Sequence, residues 1–259
     1  VRRWRVVRGS GRAAALAALD EHGVTVLVVA PGLLRGREAE VHAWCVAHRC
    51  FLLADSPEGE VPPGLAENAA TYAPGLRGPA GRPVWTSAAV AGVVRRIDLA
   101  TGVWAAPSGQ DADIRGLTPD PDPATAGANL VRTAPDERLL VWGARTASSD
   151  PEWKYVNGRR LALWLEASMD QGTQWAVFEP NDEPLWAALR QSVEEFLHGL
   201  WRGGALAGAP PQEAVFVPFG PAPMTPTELH HRHLIRMGRR LAVAPRAVAL
   251  MRFGPPPPP

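Results

Sequence analysis

Unbroken apolar runs alternate with amphipathic stretches along this chain, a pattern that predicts an α/β fold. VTVLVVAPG (24–32) and CFLLAD (50–55) are apolar on both faces, as fully buried strands are. Residues 38–48 between them carry an amphipathic helical pattern, so strand, helix and strand predict a βαβ unit with parallel pairing. Upstream, AAALAALDEHG predicts a short helix stopped by Gly23. Residues 56–83 are rich in Pro, Gly and Ala and predict loops with at most one helical turn. AVAGVVRRID (89–98) reads as a strand, and TGVWAAPSG as a turn anchored by Trp104. The alternating prolines of TPDPDPATAG (118–127) bar helix and interior strand alike and predict a loop. NLVRT and RLLVWGA, separated by APDE, predict a hairpin.

The second half is more sharply patterned. Asp150 and Pro151 have the order of an N-cap and a first-turn proline. Residues 156–170 predict a helix with Arg160, Leu163, Trp164 and Ala167 on one side, ended by Gly172. TQWAVF (173–178) reads as a strand, and PNDEP as a turn that caps the next helix. That helix, 185–201, repeats Leu185, Leu189, Val193, Phe196, Leu197 and Leu200 at helical spacing. EAVFVPF predicts a strand, TELHHRH a short helix or turn, and LAVAPRAVALMRF one or two strands before the polyproline tail GPPPPP. Six of the ten tryptophans (Trp142, Trp153, Trp164, Trp175, Trp186 and Trp201) fall within 139–217, so large buried rings fix the geometry of that stretch.

With 259 residues there is room for one large domain or two small ones. A formal charge of +1 gives no global reason to expect nucleic acid or an acidic membrane as partner. The basic residues are arginines apart from Lys154, and arginine suits interface ion pairs through its planar fork. Cys45 and Cys50 are too few for a disulfide framework and read as reduced residues at a helix end and a strand start. No apolar stretch is long enough to span a bilayer, and no secretory h-region follows the arginine-rich start, so a cytoplasmic protein is expected.

Candidate chemistry is sparse. Glu179, Asp182 and Glu183, beside Trp175 and Trp186, fit either the acid and base of a glycosidase cleft or the capping groups of the helix that begins at Pro184. His230, His231 and His233 form the histidine cluster, with Glu228 as its one acidic neighbour; a metal site and a solvated turn both fit. Ser148 and Ser149 lack a G-x-S-x-G elbow, and neither a P-loop nor G-x-G-x-x-G occurs. The five arginines of residues 1–12 have only Trp4 interleaved and read as a solvated arm or ragged edge strand. No cofactor and no metal are expected, and assembly is favoured over catalysis.

Three stretches carry a family resemblance: VWGARTASSDPEWKYVNGRRL, then GTQWAVFEPNDEPLW, then WRGGALAGAPPQEAVFV. Together they resemble the C-terminal domain of contractile phage tail sheath proteins and of the sheaths of phage-like contractile injection systems. Trp142, Arg145, Asp150, Trp153, Asn157, Arg160, Trp175, Glu179, Asn181, Asp182 and Trp186 stand in the matching motifs, and the likeness covers about 129–253. GVWAAPSG is similar to the family's Gly-Val-Trp-Lys-Ala-Pro stretch, with Ala105 in place of lysine. WTSAAVAGV replaces the usual Pro-Pro-Ser-Gly lead, Gly158 replaces a β-branched residue, and PTELHHRH replaces an acidic turn. The N-terminal strand arm and large outer domain of full-length sheaths have no counterpart in the motifs.

The resemblance implies a mixed α/β sheath core with a sheet flanked by helices. Its expected parts are an arm (1–12), an N-terminal part (13–127), a C-terminal domain (128–253) and a tail (254–259). It further implies a structural subunit that repeats by non-closing contacts into a helical tube around an inner tail tube. Ala247, Val248, Ala249, Leu250, Met251, Arg252 and Phe253 would form a strand lent to a neighbour's sheet. Contraction would be rigid-body rearrangement, without nucleotide hydrolysis. Expected partners are further sheath subunits, the inner tube, and baseplate or cap proteins, with neither nucleic acid nor membrane. A truncated or end-cap paralogue and a carbohydrate-active hydrolase using Glu179 and Glu183 are the alternative readings.

Overall fold

The computed structural model describes residues 16–19, 23–123, 127–180 and 182–206. The expected arm, the strands EAVFVPF and LAVAPRAVALMRF, the histidine cluster and the proline tail lie outside the described residues. In chain order the elements begin with β1 (Val26–Val28), α1 (Pro31–Leu34), α2 (Glu38–Ala47), β2 (Phe51–Asp55) and β3 (Ala69–Ala73). They continue with β4 (Leu76–Arg77), β5 (Pro83–Val84), α3 (Thr86–Ala100), β6 (Asp113–Ile114) and β7 (Thr118–Pro119). β8 (Asn129–Thr133), β9 (Leu139–Val141), α4 (Val156–Gly172) and α5 (Glu183–Arg202) complete the series. The chain divides into two units, 1–160 and 161–259.

In the first unit a six-stranded sheet runs in the order β1-β2-β3-β8-β9-β6. Its first four strands are parallel, with Leu27 opposite Leu52, Leu53 opposite Ala70 and Tyr72 opposite Asn129. β9 turns back antiparallel on β8 as the expected hairpin, and β6 pairs antiparallel with β9. The unbroken apolar runs of β1 and β2 follow from cover on both faces. Leu52 and Ala54 join Val41 and Cys45 of α2 in one cluster, while Asp55 of the same strand accepts the Ser87 N–H of α3 at 2.7 Å. Successive side chains of a strand point to opposite faces, so α2 and α3 cover opposite faces of the sheet. A smaller antiparallel sheet has the order β5-β4-β7.

Four local expectations are corrected. AVAGVVRRID is the body of helix α3: Val90, Val93, Val94 and Ile97 are buried at i, i+3, i+4 and i+7, and that period overrides their β propensity. Within the expected loops of 56–83 lies β3, an alanine-rich strand whose five residues are all buried. In the expected loop 118–127, Thr118 and Pro119 form β7; Pro119 is tolerated because β7 is an edge strand. TQWAVF is not a strand either. Residues Gln174–Phe178 form a 3-10 turn, because Ala176 N–H bonds back to Thr173 O and Glu179 N–H to Ala176 O.

In the second unit, α5 buries Leu185, Trp186, Leu189, Val193 and Leu197, a stripe repeating every four residues. Trp164 of α4 meets Phe196 of α5 with ring centroids 5.8 Å apart. The PNDEP turn caps α5 as expected: Asp182 accepts the Leu185 N–H at 3.2 Å, and Pro184 stands in the first turn.

Candidate functional site

Residues 143–160 form a latch across the sheet end of the first unit, and most of the motif residues lie in it. The latch starts at a close approach. A Cβ on Gly143 would stand 2.7 Å from Asn129 Oδ1, so the backbone can pass only because that position is glycine. Asn129, buried at the start of β8, then binds three backbone groups. Its Nδ2 donates to Thr71 O at 3.1 Å and Arg145 O at 2.7 Å, and its Oδ1 accepts the Arg145 N–H at 2.7 Å. Ala147 N–H donates to Ala69 O at the head of β3. Thr146 Oγ1 donates to Trp153 O at 2.6 Å, folding the SSDPEW segment back on itself.

Asp150 accepts the Glu152 N–H at 2.9 Å and so caps the 3-10 turn Pro151–Trp153, while its own N–H donates to Ser148 Oγ. Ser148 is thereby a turn residue. Arg159 lies over the Trp153 ring at 4.5 Å and donates to Asn68 Oδ1 at 2.6 Å. Asn157 Nδ2 donates to Trp104 O at 3.1 Å, tying α4 to the TGVWAAPSG turn. That turn closes over Gly102, whose φ of +137° and contact with the Trp104 ring leave no space for a side chain. Arg160 ends the latch in a bidentate pair with Asp98 of α3, at 3.0 and 2.5 Å, with its side chain only 5% exposed.

Apart from Arg145, the remaining motif residues lie outside the latch. Trp142 follows β9 and is 57% exposed, and the Arg145 side chain is exposed although its backbone is bound. Trp175 is 46% exposed on the 3-10 turn and Glu179 is exposed just after it, whereas Trp186 is buried in α5. Asn181 and 247–253 lie outside the described residues. Asp182 serves as the helix cap, the second of the two roles its spacing allowed. Among the described residues no group of three His, Cys, Asp or Glu is placed to hold a metal ion, and no helix is long and apolar enough to cross a membrane. Sequence reading missed Asn129, Asn68, Asp98 and Gly102; a lone Asn heading an apolar strand was the one visible signal.

Burial raises the Asp55 carboxyl above its ordinary range, partly offset by bonds from Ser87 and Thr86. Cys45 and Cys50 are both buried and free, and the Cys50 thiol is pushed up by its bond with Cys45 and by burial. Burial lowers His42, with Glu67 opposing.

Residues 148–218 match the phage tail sheath C-terminal domain. Across 96% of this chain and 76% of its own, a subunit of the anti-feeding prophage helical sheath in its contracted state superposes with 30% identity and a TM-score of 0.75. The chain belongs to the contractile tail sheath family. A sheath subunit of an extracellular contractile injection system, also contracted, matches with 28% identity and a TM-score of 0.75, over 93% of this chain and 75% of that one. A putative prophage major tail sheath protein of Pseudomonas aeruginosa (strain UCBPP-PA14) is 29% identical over 155 residues, 54% of this chain. The match spans 36% of that relative's length. Within the family, the mixed sheet and its flanking helices are those of solved sheath subunits.

Proposed function

We propose that this chain is a structural subunit of a contractile sheath, polymerising into a helical tube around an inner tube. Its contraction is a rigid-body rearrangement of subunits, and its role is mechanical rather than catalytic. The observation that carries this reading is the likeness, over 96% of the chain at 30% identity, to a sheath subunit in the contracted state. The parts 13–127 and 128–253 act together as the sheath core, and 247–253 supplies the strand lent to a neighbour. Its partners are further sheath subunits, the inner tube, and baseplate or cap proteins. The particle assembles in the cytoplasm.

Negative-stain microscopy of the purified chain, alone and mixed with its cognate inner tube, tests the proposal. Tubes are expected from one of the two, and none after deletion of 247–253. Tubes undiminished by the deletion would refute the lent strand. Failure to assemble under both conditions would refute the sheath role, as would glycan cleavage abolished by Glu179→Gln with Glu183→Gln.

A further inference from the structure

The end of α2 brings the chain's two cysteines together. The helix closes at His48, and Arg49 follows with a φ of +50°, in the left-handed region. Two backbone bonds turn the chain back there: Cys50 N–H donates to Cys45 O at 2.8 Å, and Arg49 N–H to Val46 O at 3.4 Å. These are the six-to-one and five-to-two bonds of a Schellman motif, in which the first and last side chains commonly pack together. In this chain both of those residues are cysteines, Cys45 and Cys50. Glycine is the usual left-handed residue, so a turn with arginine in that place is held by its flanks rather than by its own preference.

The flanks also suit a disulfide. Bond lengths on either side of the 2.8 Å hydrogen bond place the two Cα atoms at most about 6.7 Å apart, within the ~4.4–6.8 Å that disulfides span. Both cysteines are free and fully buried in one apolar cluster, and the Cys50 thiol is bonded to that of Cys45. The Cys45 carbonyl also accepts from Asn68 Nδ2 at 3.4 Å, and the same amide holds Arg159 of the latch through its Oδ1. A bond between the two sulfurs therefore fixes three things at once: the end of α2, the start of β2, and the buried amide on which Arg159 rests.

We infer that Cys45 and Cys50 are a redox pair, a dithiol in a reducing compartment and an intramolecular disulfide after reaction with a low-molecular-weight disulfide. The pair is independent of the sheath role and stands or falls without it. One thiolate attacks the small disulfide, forming a mixed disulfide and releasing one small thiol. The other thiolate attacks the protein sulfur of that mixed disulfide, closing the ring and releasing the second small thiol. Two protein thiols are thus oxidised to one disulfide while one small disulfide is reduced to two thiols. Burial holds Cys50 as the thiol, and only a thiolate attacks, so reaction waits for the last turn of α2 to open transiently. The closed bond is sheltered in the same way, so the pair changes state slowly in both directions.

The test incubates the folded full chain with oxidised glutathione, quenches with acid, and alkylates in denaturant before intact-mass analysis and peptide mapping. The expected product is a monomer about 2 Da lighter than the reduced chain, closed to alkylation, with Cys45 and Cys50 joined to each other. It should form about tenfold or more slowly than in the urea-unfolded chain, and should raise the melting temperature by roughly 5 °C. Amide exchange across 45–52 should slow. Cys50→Ala under the same treatment should show neither the mass loss nor the shift in melting temperature. Glutathione adducts on both cysteines, disulfide-linked dimers, or a folded chain that stays open to alkylation until urea unfolds it would each overturn the inference. So would an oxidised chain that melts no higher than the reduced one, since the bond would then staple nothing.

Discussion

The Arg160–Asp98 pair permits a prediction with an internal asymmetry. Arg160 is 5% exposed and Asp98 23%, and two hydrogen bonds join them in a fork geometry. Removing one partner of a buried pair costs roughly 3–5 kcal/mol, because the other charge is left uncompensated. The two deletions are not equivalent. Asp98→Ala strands a guanidinium that is the more deeply buried group and cannot shed its proton, so it should fall near the top of that range. Arg160→Met strands a carboxylate already in contact with water, which should lower the cost to about 2–3 kcal/mol. At ~2–4 °C per kcal/mol for a chain of this size, Asp98→Ala should melt on the order of 10 °C below wild type. Replacing both, Arg160→Met with Asp98→Leu, exchanges the pair for apolar contact and should lie within about 2 kcal/mol of wild type. Urea unfolding followed by circular dichroism completes the double-mutant cycle. The reasoning is refuted if either single change costs under about 1 kcal/mol, or if the double change equals the sum of the singles.

Three further outcomes follow from the first unit. Asp55 has a folded pKa raised above its unfolded value of about 3.9, so its contribution is fully present below that pH and lost as pH rises through the folded value. Asp55→Asn, which keeps an acceptor for Ser87 N–H, should therefore gain on wild type as pH rises from 4 to 7 in paired urea titrations. Gly102→Ala places a Cβ 2.4 Å from the Trp104 ring at a positive φ, and should cost about 1–3 kcal/mol by thermal melting, partly recovered by Trp104→Ala. Asn129→Ala leaves Thr71 O, Arg145 O and Arg145 N–H without their partner, and should cost about 2–4 kcal/mol with faster amide exchange across 143–146.

What could be read from the chain was decided by whether one local rule dominated. β1, β2 and β9 were legible because each is an unbroken apolar run, and β8 because the APDE turn joins it to β9 as a hairpin. The start of α5 was legible because Asp182 and Pro184 satisfy the chemistry of a helix start on their own. α3 was misread since its valines carry two signals, a β-branched composition and a 90, 93, 94, 97 spacing, and packing on the sheet selects the second. β3 was missed because Ala69, Ala70 and Ala73 have little β propensity; only its neighbours β2 and β8 make it a strand. The 3-10 turn at Gln174–Phe178 defeats period reading for the opposite reason, since nearest-neighbour hydrogen bonds satisfy a backbone that alternation assigned to a ladder. Of the latch, the caps were visible and the buried partners were not. Asn68, Asp98 and Asn129 act across separations of 91, 62 and 58 residues, which no window contains.

The contrast between anchors and surface bears on how such a subunit would work. A block that moves rigidly while its neighbours change must have internal contacts stronger than the ones it exchanges. The latch meets that condition: the Asn129 bonds and the Arg160–Asp98 pair are largely buried, little screened by salt, and each costs several kcal/mol to break, by the estimates above. The exposed Trp175 and Phe178 have the opposite character, since a contact made by solvent-exposed side chains can be exchanged without opening the subunit's interior. The two sets should therefore separate cleanly under mutation. Changes at Asn129, Asp98 or Arg160 should lower the melting temperature before they affect assembly, and changes at Phe178 or Glu179 should affect assembly at an unaltered melting temperature. A substitution in either set that moved both quantities together would mean that the subunit bends as it assembles, and a rigid-body account of it would fail.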